Sequence, residues 1–379
     1  MPDATSPRYA RQTILPEFGP EAQRRLAAAR VLVVGAGGLG SHVIPALAAA
    51  GVGEIAVVDD DVVELSNLHR QTLHGVDDLG AFKTASAAES VARLDPDVRV
   101  TQHPTRFTAG NALRIAADAD LVIDGSDNFP TRYLANDVAV LLRLPLVWGA
   151  VSRFGGQVGV AWAARGPHYR DLFPAPPPPG SVLSCAEGGV FPATVAVIGA
   201  LMAAEALKVL TGVGEPLVGR IALYDALTAS FEKVAYDRDP AGVPVERLID
   251  YDAFCGTAAD ESDPVSVTPT ELAAELAAEP AAEPAADVRL IDVRLIDVRE
   301  PWEHDIAHLA GARLVPLATL PDAVAGLDPD ARYVLYCHHG VRSRNALDYL
   351  VAQGFTGVRH LEGGIDAWAR EVAPGMPRY

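Results

Sequence analysis

Cysteine is scarce. Only Cys185, Cys255 and Cys337 occur in 379 residues, an odd and widely spaced set that cannot form a disulfide framework or a four-thiolate zinc site. Reactive thiols in a reducing cytoplasm fit this pattern better, so a cytoplasmic location is expected. Positive charge is also short: 31 Lys and Arg face 49 Asp and Glu, a formal net charge of −18. Non-specific nucleic-acid binding needs clustered cations to neutralise phosphates, and this balance argues against it. An anionic ligand must instead meet a local basic pocket. Long apolar runs are missing too. No segment approaches the roughly 18 uncharged apolar residues of a membrane span, and MPDATSPRYARQ at the amino terminus lacks the basic start, apolar stretch and cleavage site of a secretory signal. Neither membrane anchoring nor export is expected.

Core material is ample, with 49% hydrophobic residues, and the length exceeds what one hydrophobic core usually supports, so two domains are expected. From Val31 to about Val151 short β-branched runs alternate with Ala-rich helical stretches, which predicts a parallel sheet covered by helices. VLVVG at 31–35, EIAVVD at 54–59, LVIDG at 121–125 and LPLVWGA at 144–150 are the expected buried strands. QVGVAW and RIALYDAL add two more, with an apolar helix between them over about Ala193–Leu210. This places a first domain over residues 1–256. An Ala/Glu/Pro-rich stretch follows at 257–287, partly helical until its prolines interrupt it. Arg289–Val293 then recurs as Arg294–Val298, and only one copy can fill a given strand position. Because REPWEH follows the second copy directly, Leu295–Val298 is the expected strand. A small α/β domain is predicted over 264–379, with YVLYC at 333–337, a helix from about Ser343, VRHL at 358–361 and a terminal GGIDAWAREV.

The strand VLVVG runs into GAGGLG, Gly35–Gly40, and then a helix, so backbone amides at the helix start can approach a phosphate or ribose. Asp59 ends the next strand, where a carboxylate can accept ribose hydroxyls. These features alone also suit an NAD-binding oxidoreductase. SNLHRQ at 66–71, Lys83 and SDNFPTRY at 126–133 separate the readings. Arg70 and Lys83 supply two cations suited to a triphosphate, and Asp127, just beyond the carboxyl end of LVIDG, can hold Mg²⁺ against phosphates. Together they form a nucleotidyl-transfer constellation.

RYARQ, GAGGLG, SNLHRQ, Lys83 and SDNFPTRY resemble the MoeB/ThiF family of ubiquitin-activating-type adenylyltransferases over about residues 8–256. The resemblance implies a Rossmann-like adenylation domain. It also implies ATP contacts at Gly38, Asp59, Ser66, Asn67, Leu68, His69, Arg70, Lys83, Asp127 and Asn128. Arg11 would reach the phosphates of a second subunit, so a homodimer is implied as well. A guanidinium suits that task through its fixed charge and planar donors. Relatives of this kind commonly carry two C-x-x-C pairs for zinc, and this chain does not. His168-Tyr169-Arg170-Asp171 stands where the first pair would lie, and only Cys255 remains near the second. His168 and Asp171 are expected to be a solvated surface pair rather than metal ligands.

Cys185, in SCAEGGV, matches the family's thiol-bearing crossover loop, which implies a covalent intermediate, a thioester or acyl disulfide, formed on an acyl adenylate. Cys337 ends YVLYC and precedes HHGVRS, whose glycine and helix start can form a nest of amides around a thiolate or persulfide, with Arg342 adding positive charge. CHHGVRS resembles the active-site loop of single-domain rhodaneses, and LIDVREPWEH, HLAGA and LEGGIDAW match that fold's other landmarks. A phosphatase C-x5-R loop is one residue longer than the Cys337–Arg342 spacing, so loop length favours sulfur. Cys255 is expected to be structural or inert.

The fused order resembles MoeZ-type adenylyltransferase/sulfurtransferases. It implies ATP- and Mg²⁺-dependent adenylation of a ubiquitin-like sulfur-carrier protein at its C-terminal glycine. Sulfur transfer from a persulfide would follow, with thiosulfate or a cysteine desulfurase as donor. Molybdopterin, thiamine, cysteine and tRNA-thiolation pathways all share this chemistry. A noncatalytic docking role for the rhodanese-like module is the other alternative. The missing cysteine pairs yield a first prediction: purified protein holds no stoichiometric zinc and keeps its fold in chelator. Elemental analysis finding about one zinc per chain would overturn it.

Overall fold

The computed structural model describes residues 2–178, 188–256, 265–277 and 293–379. Cys185 and residues 289–292 of the first RLIDV copy lie outside the described residues. The chain divides into two compact units, Met1–Ala258 and Ala259–Tyr379.

In the first unit eight strands run in the order β3-β2-β1-β4-β5-β6-β7-β8. They are β1 Arg30–Val34, β2 Glu54–Val58, β3 Arg99–His103, β4 Leu121–Asp124, β5 Leu146–Ser152, β6 Gly155–Ala161, β7 Arg220–Asp225 and β8 Ser230–Ala235. β1, β2 and β4 are Val/Ile/Leu runs because helices cover both faces, and pairing from β3 through β5 is parallel. The expected parallel sheet extends differently beyond β5: β6, β7 and β8 add antiparallel. A two-residue turn at 153–154 lets β6 reverse directly against β5. β3 and β8 lie outside the expected set. β8 is exposed along its whole length and β3 is at most half-buried, so neither carries the buried apolar run that marks the others.

The chain leaves β1 toward β2 on one side and returns to β4 on the other. This reversal opens a crevice at the carboxyl ends of β1 and β4. The loops after both strands meet there: a Cβ on Gly35 would lie 3.1 Å from the Gly125 carbonyl oxygen. Helix α1, Gly40–Ala49, starts directly from the first loop. α2, Lys83–Leu94, and α3, Phe129–Leu142, start near the same edge.

Helix α4, Pro192–Thr211, has the length and apolarity of a membrane span, contrary to the expectation that no segment would approach it. It packs against β5, β6 and α1. Ile198 and Met202 are fully buried, and Glu205 accepts the Leu217 N–H at 2.8 Å. It is a core helix of this unit.

Asp124 ends β4 with no solvent exposure and pairs with Arg132 of α3 at 3.1 Å. Asp124 also accepts the Ser126 hydroxyl and N–H, while Arg132 donates to the Ser126 and Gly149 carbonyls. The pair therefore shapes the SDNFPTRY loop from below.

In the second unit a five-stranded parallel sheet has the order β11-β10-β12-β13-β9. The strands are β9 Ser266–Val267, β10 Val293–Asp297, β11 Arg313–Leu314, β12 Arg332–Tyr336 and β13 Val358–Leu361. The second RLIDV copy supplies the strand: Leu295 pairs with Val334 and Ile296 with Leu335, and the Val298 N–H still reaches the Tyr336 carbonyl at 3.0 Å. The short helix α5, Tyr251–Cys255, closes the first unit, and α6 Pro269–Ala277, α7 Pro301–Ile306, α8 Val341–Ala352 and α9 Gly364–Glu371 belong to the second.

Removing Arg132 leaves the Asp124 charge buried and uncompensated. Arg132→Ala is expected to destabilise the first unit by about 3–5 kcal/mol, read as the shift of its urea transition. A change under about 1 kcal/mol would contradict this account of the loop.

Candidate functional site

The β1–β4 crevice gathers most of the expected nucleotide residues. Asp59 holds the glycine-rich loop in place, its two carboxylate oxygens accepting the Ala36 N–H at 2.7 Å and the Asp61 N–H at 2.9 Å. Burial pushes its carboxyl pKa upward, with Lys83 opposing the shift. Lys83 at the start of α2 is itself buried and donates to exposed Asp61 at 2.8 Å. Gly38 lies below Arg70, where an added Cβ would come 3.9 Å from Arg70 Cγ and 3.0 Å from Val195.

Ser66 and His69 are exposed, Leu68 and Arg70 half-buried and Asn67 buried. Arg70 donates to the Ser66 carbonyl at 3.0 Å and lies 2.8 Å from His69 Nε2. Asn67 is committed to the turn, accepting the Glu64 N–H. Asp127 and Asn128 are exposed beyond β4. Asn128 serves as the N-cap of α3, accepting the Thr131 N–H at 2.9 Å, so of the two it is Asp127 whose carboxylate faces solvent uncommitted. Arg11 is exposed on the short helix Ala10–Thr13, which packs against the helix Gly19–Ala28.

His168 and Asp171 are not a solvated surface pair. The Asp171 side chain, only 4% exposed, accepts the His168 N–H at 2.7 Å, closing a capping box at the start of the short helix Tyr169–Leu172, and burial pushes the His168 pKa down. Local helix-end bonding, which the residue types alone did not reveal, recruits both. Cys255 is buried at the end of α5, and burial pushes its thiol up to about 11, as suits an inert position.

In the second unit Cys337 follows β12 with no solvent exposure. The Gly340 N–H donates to its Sγ at 3.1 Å, and Ser343 Oγ lies 3.6 Å from the same sulfur. Gly340 adopts φ +101°, a left-handed conformation that turns its amide inward. Beneath the loop, Ile365 N–H donates to the Cys337 carbonyl and Asp366 N–H to that of His338. Gly364 permits this approach, because a Cβ there would overlap both carbonyls.

The Arg342 charge is not free, in contrast to the simple cation beside sulfur expected from the motif. Its two terminal nitrogens donate to Glu303 at 2.6 and 2.7 Å, and its Nε is buried without a partner. Burial would raise the Glu303 carboxyl, but Arg342 and the Glu300 N–H outweigh it and hold the group at about 2. Burial pushes neighbouring His338 down to about 4, with His339 adding to the effect, so its ring is neutral near pH 7.

Comparison with known proteins agrees with this geometry. The ThiF family model matches residues 9–244, and the rhodanese-like domain model matches 268–371. The chain belongs to the ThiF family. A Mycobacterium tuberculosis protein named "Probable adenylyltransferase/sulfurtransferase MoeZ" is 45% identical over 98% of this chain and 95% of its own length. A Thermus thermophilus "Sulfur carrier protein adenylyltransferase" is 56% identical over 66% of this chain and 96% of its own. The crystal structure of E. coli MccB with ATP shares the fold alone, with TM-score 0.55 and 22% identity over 64% of this chain and 75% of that one. This ThiF-family chain is thus an adenylyltransferase joined to a sulfurtransferase.

Several residues of the ThiF-family crevice escaped sequence reasoning. Asp61 pairs with Lys83. His74, buried, lies 2.9 Å from the Ala36 carbonyl and 2.7 Å from Ser86, tying the glycine loop to α2. In the rhodanese-like unit, Glu303 sits in the quoted LIDVREPWEH motif, but only the fold brings it to Arg342. Glu303 and His338 together set an acid response. The folded pKa of Glu303, about 2, lies below an unfolded value near ~4.3, so its contribution is present above that pH and is lost as pH falls toward 2. The folded pKa of His338, about 4, lies below an unfolded value near ~6.5, so acidification through that window also destabilises. Amide-exchange protection of β12 and α8 in the full chain should therefore fall in two steps on acidification. Asp297 and Asp366, whose carboxyls Arg299 and Arg378 also hold low, contribute to the same lower step, so Glu303→Gln should shrink it, and a lower step of unchanged size would refute the assignment.

Proposed function

We propose that this chain adenylates the C-terminal glycine of a ubiquitin-like sulfur-carrier protein with ATP and Mg²⁺, then converts it to a thiocarboxylate with sulfur held as a persulfide on Cys337. The observation that carries this reading is the pairing, in one chain, of the β1–β4 crevice with a thiol cradled by the Gly340 amide. The names of the Mycobacterium and Thermus relatives support it.

The carrier carboxylate would attack the α-phosphorus of ATP, breaking the bond to the β-phosphate oxygen and releasing pyrophosphate. A carboxylate is a poor electrophile, and the acyl adenylate gives it AMP as leaving group. In this reading the chain supplies position and charge. Arg70 and Lys83 face the phosphates, Asp59 the ribose, and the Gly38 backbone permits close approach, with Ser66 to His69 and Asn128 lining the edge. Lys83 is poised but shared with Asp61, so phosphate would compete with that exposed carboxylate. The uncommitted carboxylate of Asp127 suits Mg²⁺, whose charge would offset that of the phosphates. Arg11, exposed on its own subunit, would complete the site of a second copy in a homodimer.

For sulfur loading, the Cys337 thiolate would attack the sulfane sulfur of thiosulfate and release sulfite, or take sulfur from a cysteine desulfurase persulfide. The Gly340 amide would stabilise the anion, and the Arg342 Nε–H, buried without a hydrogen-bond partner, would be free to add to it. The outer persulfide sulfur would then attack the carrier's acyl carbon, displacing AMP directly or displacing Cys185 from a thioester that had itself displaced AMP, to give an acyl disulfide on Cys337. Attack of the Cys185 thiolate on the Cys337 sulfur would release the thiocarboxylate and leave a Cys185–Cys337 disulfide, which a cellular dithiol reductant would return to two thiols. Free thiols of this kind suit a reducing cytoplasm.

Asp127→Ala should lower carrier-dependent ATP–pyrophosphate exchange by about 10²–10³. Cys337→Ala should keep that exchange while the carrier no longer gains the mass of sulfur replacing oxygen. Cys185→Ala should leave the Cys337 persulfide intact and impair its transfer. Tight NAD binding without exchange would favour an oxidoreductase, and unchanged thiocarboxylate yield in Cys337→Ala, without free sulfide, would favour a docking role.

A further inference from the structure

The Cys337 loop is gripped from a direction outside its own motif. Tyr379 stacks on the His338 ring, centroids 4.3 Å apart and planes at 16°, and meets Trp302 edge-on at 5.7 Å. Its hydroxyl donates to Glu303 Oε1 at 2.9 Å and accepts from Arg299 Nη1 at 2.7 Å. A phenol has one proton to give, and Glu303, ionised, can only accept while Arg299 can only donate. The two bonds therefore have one consistent direction. Burial pushes the Tyr379 pKa upward, so the proton stays in place at physiological pH.

Both partners belong to buried ion pairs. Arg299 pairs with Asp297 at the end of β10 at 2.6 Å, and Glu303 of α7 pairs with Arg342 of α8. The neighbouring Arg378 anchors the same segment, donating to Asp366 at 2.8 Å, and the Asp366 N–H supports the His338 carbonyl.

We propose that Tyr379 is a positioning residue for sulfur transfer, joining the Asp297–Arg299 and Glu303–Arg342 pairs to the His338 ring and so setting the loop around Cys337. Its hydroxyl satisfies Glu303 Oε1, an oxygen that Arg342 also engages. Without that donor the carboxylate draws more fully on the guanidinium, and less positive potential reaches the sulfur. Among the described residues, the charged and titratable groups around the loop are Arg342 and Glu303 from α8 and α7, Arg299 and Asp297 from the end of β10 with His304 of α7 bonded to Asp297, His338 and His339 on the loop, and Asp366 of α9 with its partners Arg370 and Arg378. Tyr379 touches three of them. The role in catalysis rests on the sulfurtransferase reading of Cys337, whereas the electrostatic role does not.

Full-length protein separates the two. Alkylation of Cys337 by iodoacetamide, followed by peptide mass spectrometry across pH, gives the midpoint of its reactivity. Tyr379→Phe keeps the ring and removes only the hydroxyl, so the stack survives while both ion pairs lose their bridge. The expected result is a midpoint raised by about half a pH unit or more. Thiosulfate-to-cyanide sulfur transfer should lose roughly threefold to tenfold in kcat with little change in KM. An unchanged midpoint overturns the proposal, even if the melting temperature falls, because a purely structural tyrosine would lower stability without moving the thiol. Should the wild type take up no sulfur from thiosulfate or a desulfurase, the sulfurtransferase reading fails, and the midpoint still decides the role of Tyr379.

Discussion

Each reactive loop rests on a backbone approach that no side chain could tolerate. In the first unit a Cβ on Gly40 would overlap the Gly35 carbonyl, and a Cβ on Gly35 would crowd Gly125. The two crevice loops can therefore close on each other only as glycine. In the second unit a Cβ on Gly364 would overlap the carbonyls of both Cys337 and His338. In the proposed reaction this steric constraint would bring amides to the phosphate and to the sulfur anion. It also explains why the rest of each unit is built around a strand end: a strand delivers the chain to a fixed point, and the glycine lets it turn at once into a helix.

Buried charge then orients what the glycines bring close. Asp124–Arg132 sits below the Asp127 loop, and Asp297–Arg299 with Glu303–Arg342 sits below the Cys337 loop. A pair of this kind offers little net stability over an apolar pair, because both ions must leave water. What it offers is direction. Arg299 and Arg342 hold their carboxylates bidentately, a bonding that admits few geometries, while Arg132 bonds Asp124 through Nε and spends a terminal nitrogen on the Ser126 and Gly149 carbonyls. Both loops are therefore shaped by buried ion pairs, and losing one member strands the other.

Much of the first unit was legible residue by residue. The Val/Ile-rich strands stood out because parallel strands are buried on both faces, and the β-strand that carries the second RLIDV copy followed from its direct continuity with REPWEH. β3 and β8 were not legible, since edge strands that face water need no apolar pattern. His168 and Asp171 read as surface groups because capping is a matter of backbone geometry rather than residue type. Arg342 read as a free cation because Glu303 lies 39 positions away in sequence.

The sequence by itself determined the order of elements, the two glycine-rich turns, the thiol at a strand end and the family to which the first unit belongs. These are local properties, written in spacing and residue type over a few consecutive positions. Tertiary structure alone decided which charges neutralise which: Lys83 with Asp61, Arg132 with Asp124, Arg342 with Glu303, and Tyr379 between Arg299 and Glu303. Such pairings depend on which strand ends and helix starts lie side by side. A charge is worth far more inside the fold than in water, so the character of each site is settled only when the chain has closed around it.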